Sequence, residues 1–135
     1  MALEIQERDR EGIVVLELKG RIVVGAEAGA LREKVAALNT AGTRNLVLNM
    51  AQVDFIDSTG LGALVICATG LRKGGGNIKL VNLNRRNIEL LVMTKLATVF
   101  EIFTDETDAV GSYYPDRKIQ SFDILSFVQQ MKKEE

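Results

Sequence analysis

The chain has 135 residues, 47% of them hydrophobic and 26% charged, the size and composition of one folded domain rather than a disordered chain. Seventeen Lys and Arg stand against 18 Asp and Glu, so a net charge of −1 supplies no broad basic field for nucleic acid. Histidine is absent, which excludes every Ser-His-Asp and Cys-His arrangement and most zinc sites.

In chain order, Ile13-Val14-Val15-Leu16-Glu17-Leu18 is a nearly continuous apolar run closed by Gly20, the pattern of a buried strand. After Gly25 the spacing turns helical, with Leu31, Val35 and Leu38 on one face and Gly42 as a stop. A second buried run, Leu46-Val47-Leu48, leads through Met50 and Val53 to Phe55-Ile56. The polar cluster Asp57-Ser58-Thr59-Gly60 then precedes Leu61, Leu64, Val65, Ala68 and Leu71, which repeat at helical spacing. This places the cluster at a strand-to-helix junction. Arg72-Lys73 and Gly74-Gly75-Gly76 end that helix.

Ile78-Lys79-Leu80-Val81 reads as a strand, and Ile88, Leu91, Val92 and Lys95-Leu96 as a third helix. Val99 to Phe103 gives a short last strand and Asp105 to Tyr114 a fourth helix with an acidic first turn. Strands alternating with helices and joined by short loops imply an α/β domain with parallel pairings. Pro115, the only proline, separates a tail whose Phe122, Leu125 and Val128 share one side, with Ile124, Phe127 and Met131 adjoining. The tail is expected to form an amphipathic helix that covers this domain, a twin chain in a homodimer, or a partner, because so short a helix is marginal alone.

The lone Cys67 forms no internal disulfide and fits a reducing compartment; within its apolar helix it reads as an inert core thiol. No signal peptide is visible, and the longest mostly apolar stretch, Leu61 to Leu71, falls short of the roughly 20 residues of a membrane span. The expected protein is cytoplasmic, without cofactor, metal or membrane insertion.

Ser58 is the most informative position. Its plain reading is a helix cap, its oxygen accepting a backbone N–H two or three residues on. A nucleophile reading fails, since Ile56 stands where an esterase elbow needs glycine and no histidine is present as a base. A third reading is covalent modification: backbone N–H groups and the positive helix end tolerate phosphate, and Gly60 and Gly62 keep the surface low for another protein's active site. Phosphate would add about −1.5 to −2 charges beside Asp54 and Asp57. Neither a dinucleotide fingerprint nor a Gly-Lys-Ser/Thr loop is present, Gly74-Gly75-Gly76 reads as a loop, and Arg85-Arg86 reads as a solvated face.

The segment from Asp54 through Asp57-Ser58-Thr59-Gly60-Leu61-Gly62 to Leu64 resembles the phosphorylation-site segment of STAS domains, the anti-sigma factor antagonist family. Leu18-Lys19-Gly20-Arg21-Ile22, Asn45 to Met50 and Val99 to Phe103 resemble flanking strands of the same family. The resemblance implies a single α/β domain over residues 1–114, a mixed sheet of four to five strands packed with about four helices, and a C-terminal helical extension over 115–135. It implies a non-enzymatic protein that works by partner switching, in which the domain docks on an anti-sigma factor serine kinase and phosphorylation breaks the complex. A phosphoserine phosphatase resets it. Ser58 would be the phosphoacceptor, with Thr59 second; Asp57 would flank it, and Thr59, Gly60, Leu61 and Gly62 would meet the partner. Many members carry Asp near that serine where this chain has Val23 and Asn49. Those replacements make the surroundings less acidic and keep open a second role, a scaffold subunit of a signalling or lipid-transport complex.

Overall fold

The apolar runs seen in the sequence pair side by side as the centre of one sheet. The structure is a computed structural model that describes residues 3–134. Its elements are β1 (Glu4–Arg10), β2 (Ile13–Ile22), α1 (Ala26–Thr40), β3 (Asn45–Ile56), α2 (Ser58–Lys73), β4 (Asn77–Val81), α3 (Arg85–Met93), β5 (Glu101–Phe103), α4 (Glu106–Gly111) and α5 (Ile124–Glu134). The strands lie in the order β1-β2-β3-β4-β5, β1 antiparallel to β2 and the remaining pairs parallel. The sheet is therefore mixed, with five strands, four helices and a C-terminal helix.

Period-two alternation divides the sheet into two faces. Leu16, Leu18, Leu46, Leu48, Ile78 and Leu80 pack in one cluster with residues of α1, α2 and α3, among them Leu31, Leu64, Leu71 and Leu91. A smaller cluster on the other face joins Val15, Val47, Val81 and Phe103 to Ala109 and Val110 of α4. On that same face Lys79 is buried, with its ammonium on Ser112 Oγ at 2.7 Å and over the Tyr113 ring at 4.1 Å.

β1 is not among the strands expected from the residues, because Glu4–Arg10 has a single core-facing aliphatic, Ile5, among charged neighbours. It forms as an edge strand by pairing all its residues with β2 across the two-residue turn Glu11-Gly12, both at positive φ. Several ends also fall short of expectation. α3 stops at Met93 rather than Leu96, because Lys95 takes φ 64 and the amides of Lys95 and Leu96 bond back to the carbonyls of Val92 and Leu91. β5 begins at Glu101, and α4 ends at Gly111, followed by turns that return Tyr113 and Tyr114 to the sheet. The glycine run does close α2: Gly75 has φ 86, and a Cβ on Gly76 would lie 2.0 Å from the Arg44 carbonyl oxygen.

Glu106 fastens α4 to the sheet. Arg8 donates to it at 2.8 Å, Arg10 at 2.7 Å and Asn49 Nδ2 at 3.0 Å. The Arg8 guanidinium foremost, with Asn49 and Arg10, outweighs burial and holds the Glu106 carboxyl down to about 2.

The tail returns to its own domain. Phe122 N–H donates to the Ile102 carbonyl at 2.9 Å, occupying the open edge of β5, and its ring meets Phe127 at 5.8 Å. Ile124 and Val128 lie over Val92, Lys95, Ala97 and Thr98, and Glu134 pairs with Arg85 at the far end of α3. The covered side is Ile124, Phe127, Val128 and Met131, not the expected Phe122–Leu125–Val128; Leu125 is 76% exposed. The helix starts only after Asp123, which accepts the Ser126 amide at 3.0 Å, so Phe122 lies outside the helical register.

Two predictions follow from these contacts. Glu106 is bound more tightly as the anion, so its stabilising effect is complete above its ordinary pKa of 4.5 and fades as pH falls toward 2. Urea unfolding should show wild type about 2 kcal/mol more stable than Glu106→Gln near neutral pH, with the difference closing in that acid window. In the tail, Phe127→Ala should lower stability by about 1–2 kcal/mol, less than a fully buried Phe would cost. Leu125→Ala should change it by less than about 0.5 kcal/mol.

Candidate functional site

The second half of β3 runs beyond β4, whose pairing ends at Asn49, and continues beside β2 as far as Ile22↔Ile56. It therefore delivers Asp57 and the start of α2 to the C-terminal edge of the sheet, next to the β2–α1 loop. Asp57, not Ser58, is the N-cap: its Oδ1 accepts the Gly60 amide at 2.7 Å and its Oδ2 accepts the Val24 amide at 3.0 Å. The backbone amides of Gly60, Val24 and, less, Thr59 hold the Asp57 carboxyl below the usual range. One carboxylate thus fastens the helix start to the neighbouring loop.

The plain capping reading of Ser58 is corrected by this geometry. Ser58 is the first helical residue, exposed, and its hydroxyl has no hydrogen-bond partner among the described residues. Thr59 beside it is also exposed. Of the first-turn residues expected to meet a partner, Gly60 and Leu61 are buried, Thr59 is exposed and Gly62 is half-buried. Gly60 has a different task. A Cβ there would lie 1.8 Å from the Ile22 carbonyl oxygen, so only glycine lets α2 come this close to β2. Around Gly62 nothing lies within 4 Å of an added Cβ, which leaves that side of the helix open.

Val23 lies in the adjoining loop, half-buried, its carbonyl accepting the Ala28 amide at 3.0 Å. Asn49 is not brought to the site. It lies seven residues before Ile56, roughly 20 Å of strand away at about 3.3 Å per residue. Its amide bonds Glu106 and its Oδ1 accepts the Ala51 amide at 3.0 Å. Its role is to tie α4 to β3.

Three features of the site escape a reading of the sequence. Val24 is 65% exposed and pinned beside Ser58 by the Asp57 bond to its amide. Arg32 and Ile66 flank a shallow groove of about 280 Å³ that runs from Thr59 and Gly62 between α1 and α2. The only available signal was a valine standing between a strand end and Gly25. Cys67, deeper between the same helices, is buried, and burial pushes its thiol up to about 11, which keeps it protonated and unreactive. Among the described residues no helix is long and apolar enough to cross a membrane.

The site is an accessible hydroxyl on a rigid helix start, framed by an exposed valine and a carboxylate that is already bonded. Residues 4–109 match the family model for the STAS domain, and the chain belongs to that family. It is 33% identical over 102 residues to the anti-sigma-B factor antagonist of Bacillus subtilis (strain 168), covering 76% of this chain and 92% of the relative. The fold is shared with an anti-sigma factor antagonist from Mycobacterium paratuberculosis, with a TM-score of 0.71, 22% identity, and coverage of 82% of this chain and 93% of that one. It is shared too with Bacillus SpoIIAA in its phosphorylated form, with a TM-score of 0.63, 19% identity, and coverage of 83% and 99%.

The contrast between the two glycines is directly testable. Gly60→Ala should cost about 3 kcal/mol or more, since the obstacle is backbone rather than a flexible side chain. Gly62→Ala should leave the fold intact and raise stability by up to about 1 kcal/mol through helix propensity. Thermal or urea unfolding of the two variants distinguishes the roles.

Proposed function

We propose that this chain is an anti-sigma factor antagonist that acts by partner switching. In this reading residues 1–114 form the STAS unit and 115–135 an extension of it. The unmodified Ser58 edge docks on a cytoplasmic anti-sigma factor that is also a serine kinase, and thereby frees the sigma factor. Transfer of phosphate to Ser58 Oγ ends the contact, and a phosphoserine phosphatase restores it. The observation that carries this reading is the free, exposed hydroxyl of Ser58 at the first position of α2, with Asp57 rather than Ser58 doing the capping. The 33% identity to a relative named as an antagonist of an anti-sigma factor supports it.

The energetics favour control at the interface. Phosphate at the helix start gains only about 0.3–1 kcal/mol from the helix dipole. The nearest carboxylate, Asp57, already holds the Gly60 and Val24 amides, so the phosphate finds no vacant pair of donors there. Two added negative charges forced against a partner cost several kcal/mol, a hundredfold or more in affinity. The unmodified surface is compatible with docking: Val24, Thr59 and Gly62 offer an apolar, low profile around the hydroxyl.

Incubation with the cognate kinase and ATP should add one phosphate, mapped by mass spectrometry to Ser58. Ser58→Ala should bind that kinase like the unmodified protein, and Ser58→Asp about tenfold or more weakly. Equal affinity of both variants, or phosphate placed elsewhere, would overturn the reading; co-purification with a transporter or sensory complex instead would point to the scaffold role.

A further inference from the structure

A second feature lies at the same edge of the sheet, on the other side of β3. The first turn of α3 is fastened to the end of β3 by Asn84 Nδ2, which donates to the carbonyls of Val53 and Asp54 at 3.3 Å each. Between them opens a groove of about 400 Å³, lined by Phe55, Ile56, Arg86, Asn87, Leu90 and Met93, with Glu89 on its rim. Ile56 directly precedes Asp57 and Ser58, so the groove adjoins the switch residue.

The chemistry of its lining is specific. Met93 is 74% exposed, and Phe55 and Leu90 are half-buried. Asn87 is 1% exposed; its Nδ2 donates to the Val53 carbonyl at 3.2 Å, while its Oδ1 has no hydrogen-bond partner among the described residues. Arg86 stacks over the Phe55 ring at 5.7 Å and has no carboxylate within ion-pair distance among the described residues. Arg85 beside it is different, pairing with both Glu89 and Glu134. Among the described residues the Glu89 charge is thus answered and the Arg86 charge is not.

We propose that this groove anchors the partner protein through a segment in which an apolar side chain stands next to a carboxylate. The apolar group packs on Phe55, Leu90 and Met93, and the carboxylate pairs with Arg86. This deepens the proposed function and rests on its premise that the chain acts by binding a protein at the Ser58 edge. It gives that protein a fixed handhold independent of the modifiable hydroxyl.

The full chain, panned against a displayed library of short linear peptides, tests the proposal. Enriched peptides should carry a large apolar residue adjacent to Asp or Glu, and on titration should shift the amides of Phe55, Ile56 and residues 86–93. Met93→Glu and Arg86→Glu, both at exposed positions, should each weaken binding about tenfold or more, about 1.4 kcal/mol. Arg86→Glu should also turn the selected charge to Lys or Arg. Ser58→Asp should leave peptide binding unchanged, so that loss of the phosphorylation switch and loss of the groove read out separately. No enrichment, shifts confined to other surfaces, or peptides indifferent to both substitutions would overturn the proposal.

Discussion

The first turn of α2 lies so close to β2 that a single added carbon on Gly60 would collide with the Ile22 carbonyl, and the remaining geometry of the site depends on that approach. Ile22 also accepts the Asp57 amide at 3.2 Å, and the Asp57 carboxylate then reaches across to Val24. Helix start, strand end and loop are thereby held by backbone groups and one short side chain. Backbone bonds of this kind fix position without demanding long side chains, whose ordering would cost entropy and whose bulk would cover the hydroxyl. A rigid yet low surface results from the same few atoms.

The Glu106 ion-pair network and the Ser58 site occupy different parts of the sheet. On the face under α4, Arg8, Arg10 and Asn49 converge on Glu106, and the small apolar cluster around Val47 and Phe103 is closed by that helix. At the C-terminal edge Asp57 is satisfied by backbone amides, and Arg86 has no carboxylate within ion-pair distance among the described residues. Asn49 belongs to the first set although the family resemblance suggested the second. Its contact with Glu106 shows why a neutral amide serves there: it donates to a carboxylate, which an aspartate in its place would repel.

The parts legible in the sequence were those with apolar residues buried on both faces. β2, the first half of β3 and β4 are sandwiched between helices, so their residues form apolar runs that admit no other reading. The Asp57–Gly60 junction was legible because a polar cluster interrupts two such runs. β1 was not, since an edge strand needs only one buried side chain such as Ile5 and takes its order from pairing. The ends of α3 and the face of α5 were set by local hydrogen bonding, a Lys95 in the left-handed region and an Asp123 cap, which apolar periodicity does not report. Val24 and the Phe55–Met93 groove depend on which elements the fold brings together, and no spacing along the chain contains that.

Two adjacent residues, Asp57 and Ser58, divide one task at the helix start, and the division explains the availability of the hydroxyl. A serine at the capping position would spend its oxygen on a backbone amide and would turn it toward the helix. With aspartate one position earlier, two carboxylate oxygens satisfy the Gly60 and Val24 amides, and Ser58 needs to satisfy none. Its position at the start of the first turn points it away from the core, which the buried Gly60 and Leu61 face instead. The hydroxyl is therefore both exposed and held in place by neighbours whose bonds do not involve it. A change of its charge can be felt by whatever lies against it while the fold that presents it keeps all its own contacts.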